Sequence, residues 1–196
     1  GGAGTATKHL ISLGHRRIAF LDGYDLNDQA FLQQTPTSSA DGLDTSLPIW
    51  GISEARRAGY AEALRAHGIP FDPSLLYYGS FTQEGAKDAV SRLLEDHPDV
   101  TAIFAISDVM AFGAMKAVRE SGLRVASDVA IVGYDDIKSA SYVRPALSTI
   151  KQDGEEMGRS AVREILRLIG DPARVPTKVI LPVELVVRES CGAIRD

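Results

Sequence analysis

The sequence contains very little cysteine, no long hydrophobic run and no excess of positive charge. Cys191 is the only cysteine among 196 residues, so an internal disulfide is impossible and we expect a reducing, cytoplasmic compartment. No apolar run approaches the roughly 20 residues that a membrane-spanning helix requires, and residues 1–10 lack a signal-peptide pattern, so no contact with a membrane is expected. The net charge of −5 provides no basic surface for nucleic acid within this segment.

Motifs for catalysis, metals and cofactors are missing as well. The four histidines are scattered without metal-ligand spacing, and no GxSxG, HExxH or Cys–His arrangement is present. Asp135 and Asp136 are adjacent in an extended segment, so their side chains point to opposite faces and do not easily form an acid–base pair. We therefore predict a protein that is not an enzyme and that binds neither a metal nor a cofactor.

The most informative segment that is present covers residues 99–136. The apolar run Thr101–Ile106 has the length of a strand buried on both faces, and Ser107 or Asp108 then caps a helix whose apolar residues have helical spacing. A second apolar run, Val129–Tyr134, follows. Strand, helix and strand within about 40 residues predict two parallel strands joined by a right-handed crossover.

Polar residues follow both of these strands. Ser107 and Asp108 come at the carboxyl end of the first strand, and Asp135 and Asp136 come at the carboxyl end of the second. Ligands of open α/β sheets bind just beyond this edge, so the pattern predicts a site for a small polar molecule.

Other candidate site residues fall at the same edge. A helix predicted over 53–67 places Arg56 in its first turn, where the side chain either points into the crevice or lies on the surface. Phe81 follows a further predicted strand and forms either a pocket wall or part of the core. Residues 22–53 show no clear periodicity, which is typical of functional or disordered loops. Trp50 in this segment either stacks on a ligand or anchors the loop.

The remaining elements alternate along the chain, which predicts an α/β fold. Helices are expected at 5–13, 83–95 and 155–169, and strands at 18–21, 75–78, 147–150, 179–181 and 184–188. The apolar residues of the helix at 155–169, among them Met157, Ile165 and Ile169, are expected to face inward.

Several segments together resemble the LacI/GalR family of transcriptional regulators, in the effector-binding part that is similar to periplasmic sugar-binding proteins. These segments are LGHRRIAFL at 13–21, RAGYAEAL at 57–64, TAIFAISDVMAFGAMKAVRESGLRVASDVAIVGYDD at 101–136, PALSTIKQ at 145–152 and LPVELVVRES at 181–190. The resemblance covers nearly the whole chain except about 24–52.

The resemblance implies a periplasmic-binding-protein-like type I fold of two doubly wound parallel-sheet subdomains, the N-terminal one incomplete in this chain. It assigns residues 1–22 and 153–181 to the partial N-terminal subdomain. Residues 23–152 and 182–190 are assigned to a C-terminal subdomain for effector binding and dimerisation. The loop at 22–53 is an insertion relative to the family.

The resemblance also implies roles for individual residues. The predicted effector contacts are Arg56, Phe81, Ser107, Asp135, Trp50 and Gln152. The predicted dimer contacts are Tyr142, Ala114 and Met115. Among the effector contacts, Arg56 and Asp135 resemble the polar pair that holds the ligand, and Phe81 resembles the aromatic wall of the pocket.

The function implied is that of an effector-sensing domain in a homodimeric regulator, most simply a repressor. A small sugar-like ligand would bind in the cleft between the subdomains and control operator binding allosterically. The operator DNA would be bound by an N-terminal helix-turn-helix that is not present in this chain. The alternative is a periplasmic sugar-binding protein of a transport system. A helix-turn-helix encoded upstream favours the regulator, and a signal peptide favours the transport protein.

Overall fold

The computed structural model describes residues 1–24, 49–171 and 173–193, which form a six-stranded sheet with helices packed on it. The helices are α1 (Gly2–Ser12), α2 (Ile49–Ala66), α3 (Gln83–Asp96), α4 (Asp108–Glu120) and α5 (Gly154–Gly170). The strands are β1 (Ile18–Asp22), β2 (Leu76–Tyr78), β3 (Ala102–Ala105), β4 (Ala130–Asp135), β5 (Ser148–Gln152) and β6 (Val183–Val186). Short 3-10 helices cover Pro73–Leu75 and Lys138–Ser141. Of the helices described, none combines the length and the apolar character that crossing a bilayer demands.

The order of the strands in the sheet is β2-β1-β3-β4-β5-β6. Strands β1 to β5 run parallel, and β6 pairs antiparallel with β5. Phe20 of β1 lies opposite Phe104 of β3 and Leu76 of β2. The predicted parallel pair on either side of α4 is confirmed, since Ala102 of β3 lies opposite Ala130 of β4. The carboxyl ends of the five parallel strands therefore meet at one edge of the sheet.

The centre of the sheet is buried because helices pack on each side of it. Helix α1 packs against α2, and α3 packs against α4. Every residue of β1 and β3 is buried, which agrees with their apolar sequences. Tyr60 of α2 stacks on Phe20 with 5.1 Å between the ring centroids, and its hydroxyl donates to the Ile18 carbonyl at 2.7 Å. The ring thus adds buried apolar area while its hydroxyl keeps a partner.

Helix α4 begins where the sequence predicts, and Ser107 rather than Asp108 is its N-cap. The Ser107 hydroxyl accepts a hydrogen bond from the Met110 backbone N–H at 3.3 Å. Thr82 caps α3 in the same way, by accepting from the Gly85 N–H at 3.0 Å. Such caps satisfy backbone donors that the first turn of a helix leaves free. Each cap therefore fixes the start of its helix close to the edge where the preceding strand ends.

The structure corrects two predicted boundaries. The segment 179–181 is not a strand, and β6 begins at Val183, directly after Pro182, whose nitrogen cannot donate to a sheet ladder. The expected subdomain boundary near residue 22 does not divide the sheet, because β1 lies between β2 and β3. Residues 18–22 are therefore part of the same sheet as the strands between 76 and 152.

Helix α5 forms at the predicted place, but its apolar face is exposed. Among the described residues of this helix none is buried, and Ile169 is 71% exposed. The expectation that Met157, Ile165 and Ile169 face inward is thus wrong for the part of the chain that the structure describes. An amphipathic helix gains most of its stability by packing its apolar stripe against another element, and that element is absent from the described ranges.

Helices α3 and α4 approach each other so closely at Gly113 that a larger residue there should destabilise the fold. A Cβ atom at this position would lie 2.8 Å from Ala86 Cβ and would also collide with the Gln83 carbonyl oxygen. We expect Gly113→Ala to lower the free energy of unfolding by about 1–3 kcal/mol, because overpacking outweighs the better helix propensity of alanine. Urea denaturation measures this change.

The matched control is Gly158→Ala in α5, where nothing lies within 4 Å of an added Cβ atom. This variant should not lose stability, since alanine has the higher helix propensity. Equal effects of the two substitutions would show that the close approach at Gly113 does not limit the packing of α3 on α4.

Candidate functional site

Arg56 of α2 reaches across the carboxyl edge of the sheet. Its guanidinium lies over the Tyr134 ring, with 3.6 Å between Cζ and the ring centroid, and it donates a hydrogen bond to the Ile106 carbonyl. Its Nη2 atom is 3.7 Å from Asp135 Oδ1. Burial lowers the pKa of Arg56, and the charge of Asp135 opposes this effect. The cation is therefore held by an aromatic face, a carbonyl oxygen and a carboxylate at once.

Asp135 occupies the last position of β4 and faces Gln152 as well as Arg56. The Gln152 side-chain amide donates to Asp135 Oδ1 at 2.6 Å. Burial raises the pKa of Asp135, while Arg56 and the Gln152 hydrogen bond both lower it. The structure thus brings together three of the predicted effector contacts, Arg56, Asp135 and Gln152. An arginine, a carboxylate and an amide in one cluster offer both donors and acceptors to a polar ligand.

The backbone turns sharply directly after β4. Asp135 has φ of 115° and Asp136 has φ of 57°, both in the region that residues other than glycine rarely adopt. Asp136 points away from the cluster and forms an ion pair with Arg188, with 2.7 Å between Asp136 Oδ1 and Arg188 Nη2. The prediction that the two aspartates do not share a site agrees with this division of partners.

Asp108 lies behind this turn, fully buried at the start of α4. Its Oδ2 atom accepts a hydrogen bond from the Ile137 backbone N–H at 2.9 Å, and its Oδ1 atom accepts one from the Thr149 hydroxyl at 2.5 Å. Burial raises the pKa of Asp108 to about 6, and the charges of Asp135 and Asp136 add to this effect. The carboxylate is therefore an internal support of the turn and does not reach the surface of the site.

Phe81 lies at the carboxyl end of β2, and its ring covers the backbone of Gly23. A Cβ atom at Gly23 would collide with this ring, so glycine is required there for the contact. The ring also packs on Tyr24, with 5.2 Å between the centroids. Phe81 is partly buried and belongs to the rim of the core, so both of its predicted roles, pocket wall and core aromatic, are compatible with its position.

The last two predicted effector contacts are Ser107 and Trp50. Ser107 lies at the carboxyl end of β3, but its hydroxyl oxygen already accepts the capping hydrogen bond from Met110. Its side chain therefore has a structural task in addition to any contact with a ligand. The side chain of Trp50 lies outside the residues that the structure describes, so its role as an effector contact stays a prediction.

The sequence analysis did not identify three residues of this edge, which are Tyr134, Asp22 and Ser53. Asp22 is the last residue of β1, and the same rule that selected Asp135 could have selected it. Asp22 Oδ1 accepts from the Gly23 N–H at 2.7 Å, whereas Asp22 Oδ2 and Ser53 Oγ are buried without a hydrogen-bond partner among the described residues. Burial raises the pKa of Asp22, and the nearby Ser53 hydroxyl opposes the rise.

An apolar cavity of about 690 Å³ adjoins the polar cluster. It lies between the start of α1, helix α5 and the segment that leads into β6, and both Tyr134 and Gln152 line it. Its wall combines side chains of α5, such as Met157 and Ile165, with residues of the segment that leads into β6, such as Val179 and Leu181. The cavity therefore joins the polar edge of the sheet to the apolar surface of α5.

The predicted dimer contacts differ in their accessibility. Tyr142 is 79% exposed and is available to a partner. Ala114 and Met115 are fully buried inside the chain, because the face of α4 that carries them packs into the core. Their side chains cannot contact a second subunit in this conformation. In the described ranges, no group of three or more histidine, cysteine, aspartate or glutamate side chains is placed to hold a metal ion.

Comparisons with known proteins agree on one family. The sequence profile of the periplasmic binding protein-like domain matches residues 7–191. The HTH-type transcriptional regulator CelR of Thermobifida fusca is 37% identical over 190 residues, which are 97% of this chain and 49% of that protein. The HTH-type transcriptional repressor PurR of Haemophilus influenzae is 32% identical over 192 residues, which are 96% of this chain and 50% of that protein.

Solved structures give the same result. The chain is similar to a CelR–cellobiose complex, with a TM-score of 0.79 and 36% identity over 96% of this chain and 51% of that one. It is also similar to a LacI family transcriptional regulator from Enterococcus faecium with bound ribose, with a TM-score of 0.80 and 28% identity over 99% of this chain and 63% of that one. The chain spans about half the length of the curated relatives that it matches.

The raised pKa of Asp108 predicts how the stability of the fold depends on pH. In the folded protein this pKa is about 6 instead of 3.8, so between these values the folded state holds a proton that the unfolded state releases. The resulting contribution to stability is complete below about pH 4 and is lost as the pH rises through 6. Relative to Asp108→Asn, which does not titrate, the protein should lose about 2 kcal/mol of unfolding free energy between pH 4 and pH 7.

Urea denaturation at a series of pH values measures this difference. Asp128→Asn is the control, because Arg124 lowers the pKa of this carboxyl to about 2 and its contribution therefore changes little between pH 4 and pH 7. Parallel stability curves for the unmodified protein and Asp108→Asn over this pH range would contradict the prediction.

Proposed function

The chain belongs to the periplasmic binding protein-like domain family, and from this membership we propose that it is the effector-sensing part of a LacI-type transcriptional regulator. The curated relatives named above are HTH-type regulators of transcription. They favour regulation over transport as the role of this chain. That the chain has no catalytic activity stays a prediction, which fits relatives that are regulators rather than enzymes.

The observation that carries the proposal is the cluster of Arg56, Asp135 and Gln152 beside the Tyr134 ring. Adjacent hydroxyl groups of a sugar can donate to Asp135 and accept from Arg56 and Gln152, while aromatic rings cover the apolar face of the sugar. Similar structures contain cellobiose and ribose, which supports a carbohydrate as the ligand. We propose that Phe81 forms one wall of the pocket, as the sequence suggests.

The exposed face of α5 supports the proposed division into subdomains. We propose that residues 153–181 belong to an N-terminal subdomain whose larger part lies outside this chain. The relatives are about twice as long as the chain, so they have room for such a subdomain. Its packing on α5 would cover the apolar stripe and close the cavity that Tyr134 and Gln152 line. The effector would then lie between two surfaces, only one of which is present here.

Regulation would require that the effector binds two conformations of the cleft with different affinities. We propose that cleft closure changes the spacing of two helix-turn-helix heads in a homodimer that binds operator DNA, with the heads lying outside this chain. Such a regulator acts in the cytoplasm. Tyr142, which follows the 3-10 helix Lys138–Ser141, and Val109 of α4 have exposed side chains and are the contacts that we propose for the partner subunit.

Asp135→Ala should abolish effector binding while leaving the fold intact. Removal of the carboxylate leaves Arg56, Gln152 and the ligand hydroxyls without their acceptor, and each such group costs about 1–3 kcal/mol. The whole regulator that contains this chain is screened by thermal shift against cellobiose, ribose, other mono- and disaccharides and purines, and the affinity of each binder is measured by calorimetry. A ligand at 100 times its dissociation constant should add about 2.7 kcal/mol of stability.

The control for this substitution is Asp128→Asn, a carboxylate remote from the site whose exchange should leave affinity unchanged. Unchanged affinity in Asp135→Ala would remove this residue from the site. Stabilisation by purines but not by any sugar would overturn the proposed class of ligand.

Phe81→Ala should weaken binding of the same ligand without abolishing it. The substitution removes the stacking surface and its buried area, for which aromatic contacts contribute about 0.5–1.5 kcal/mol beyond area alone. Calorimetry compares it with Phe81→Tyr, which keeps the ring and should bind nearly as well as the unmodified protein. If alanine and tyrosine variants bind equally well, Phe81 is a core residue and not a pocket wall.

A further inference from the structure

The carboxylate of Asp135 reaches Arg56 and Gln152 from an unusual backbone conformation. Both Asp135 and Asp136 have positive φ values, which side chains other than glycine disfavour. Such a conformation persists only where surrounding contacts determine it. The residues that hold this turn are therefore part of what aims Asp135 into the site.

Asp108 makes the contacts that meet this requirement. It accepts from the Ile137 N–H at 2.9 Å, directly after the turn, and from the Thr149 hydroxyl of β5 at 2.5 Å. One side chain thus ties the start of α4 to the chain that leaves β4 and to the neighbouring strand. Because β5 also carries Gln152, the same carboxylate contacts both the segment after Asp135 and the strand that carries its partner Gln152.

The backbone of β4 packs closely against the side chain of Asp108. A Cβ atom at Gly133 would collide with Asp108 Oδ1, so β4 approaches the carboxylate as closely as its backbone allows. Burial disfavours the charge of Asp108, and the negative charges of Asp135 and Asp136 add to this effect. A buried charge of this kind lowers stability, and an apolar residue would fill the space at less cost.

We propose that Asp108 is a positioning residue for the effector site, which holds the turn after β4 so that Asp135 faces Arg56 and Gln152. This inference rests on the proposed function, because it concerns the same site. Asp108 itself is fully buried and does not touch the ligand. Since it is also the first residue of α4, it couples the position of that helix to the position of the ligand-binding carboxylate.

The first test needs no ligand. The side-chain amide of Gln152 donates to Asp135, so its nuclear magnetic resonance signal reports whether Asp135 is in place. In the isotope-labelled whole regulator, Asp108→Ala should move this signal to the position that it has in Asp135→Ala. Asp108→Asn should leave it nearly unchanged, because asparagine can still accept from Ile137 and can donate to Thr149.

The matched control is Asp128→Ala. Like Asp108, Asp128 accepts a hydrogen bond from a backbone N–H, in this case that of Arg124. It should not move the Gln152 signal. If Asp108→Ala fails to fold, Thr149→Val removes one of the two hydrogen bonds of Asp108 and should shift the Gln152 signal part of the way. A Gln152 signal that stays in place while the Ile137 and Thr149 signals move would overturn the proposal.

The second test uses cellobiose as the probe and compares the two residues in a double-mutant cycle. Asp108→Ala should weaken binding at least tenfold, and Asp108→Asn less than threefold. In an Asp135→Asn background, Asp108→Ala should cause less than a threefold further loss, because it acts through Asp135. A full tenfold loss in that background would contradict the positioning role. If the unmodified regulator does not bind cellobiose, cellobiose is excluded as its effector, and the Gln152 signal still decides the role of Asp108.

Discussion

The parallel direction of five neighbouring strands is the constraint on which the whole site depends. Since β1 to β5 end at the same edge, residues far apart in the chain come together there, such as Asp22, Asp135 and Gln152. Helix α2 starts near this edge and contributes Arg56 in its second turn. The parallel topology alone therefore brings these residues to one edge of the sheet.

Burial at this edge makes the polar groups depend on one another. It disfavours the charge of Arg56 and that of Asp135, and each lowers the cost of burying the other. The Tyr134 ring and the Gln152 amide complete the set of partners. In the proposed function, a ligand would meet groups that are already oriented, and its hydroxyls would replace hydrogen bonds within the cluster. Preorganisation of this kind reduces the entropy that is lost when a ligand binds.

The apolar surface of α5 differs from the polar cluster, because its side chains have no packing partner among the described residues that would bury them. Its side chains line the cavity that adjoins Tyr134 and Gln152. The chain matches about half of each curated relative, and we have proposed that a subdomain in the remaining half packs on this helix. In that proposal the polar cluster and the apolar stripe would be two parts of one interface between subdomains.

The sequence by itself determined the alternation of helices and strands, the burial of β3 and β4, and Arg56 and Asp135 as candidates, because apolar periodicity and the carboxyl-edge rule are local properties. Gln152 became a candidate only through the resemblance to a known family. It misassigned residues 18–22 to another subdomain and the apolar face of α5 to the core, since the order of strands and the partner of a face are set by packing. Only the tertiary structure decided that Ala114 and Met115 are internal, that Tyr134 supports Arg56, and that Asp108 supports the turn at Asp135. These contacts join residues that are far apart in the sequence. No local sequence pattern predicts them, because they arise only when the crossovers bring the helices and strands together.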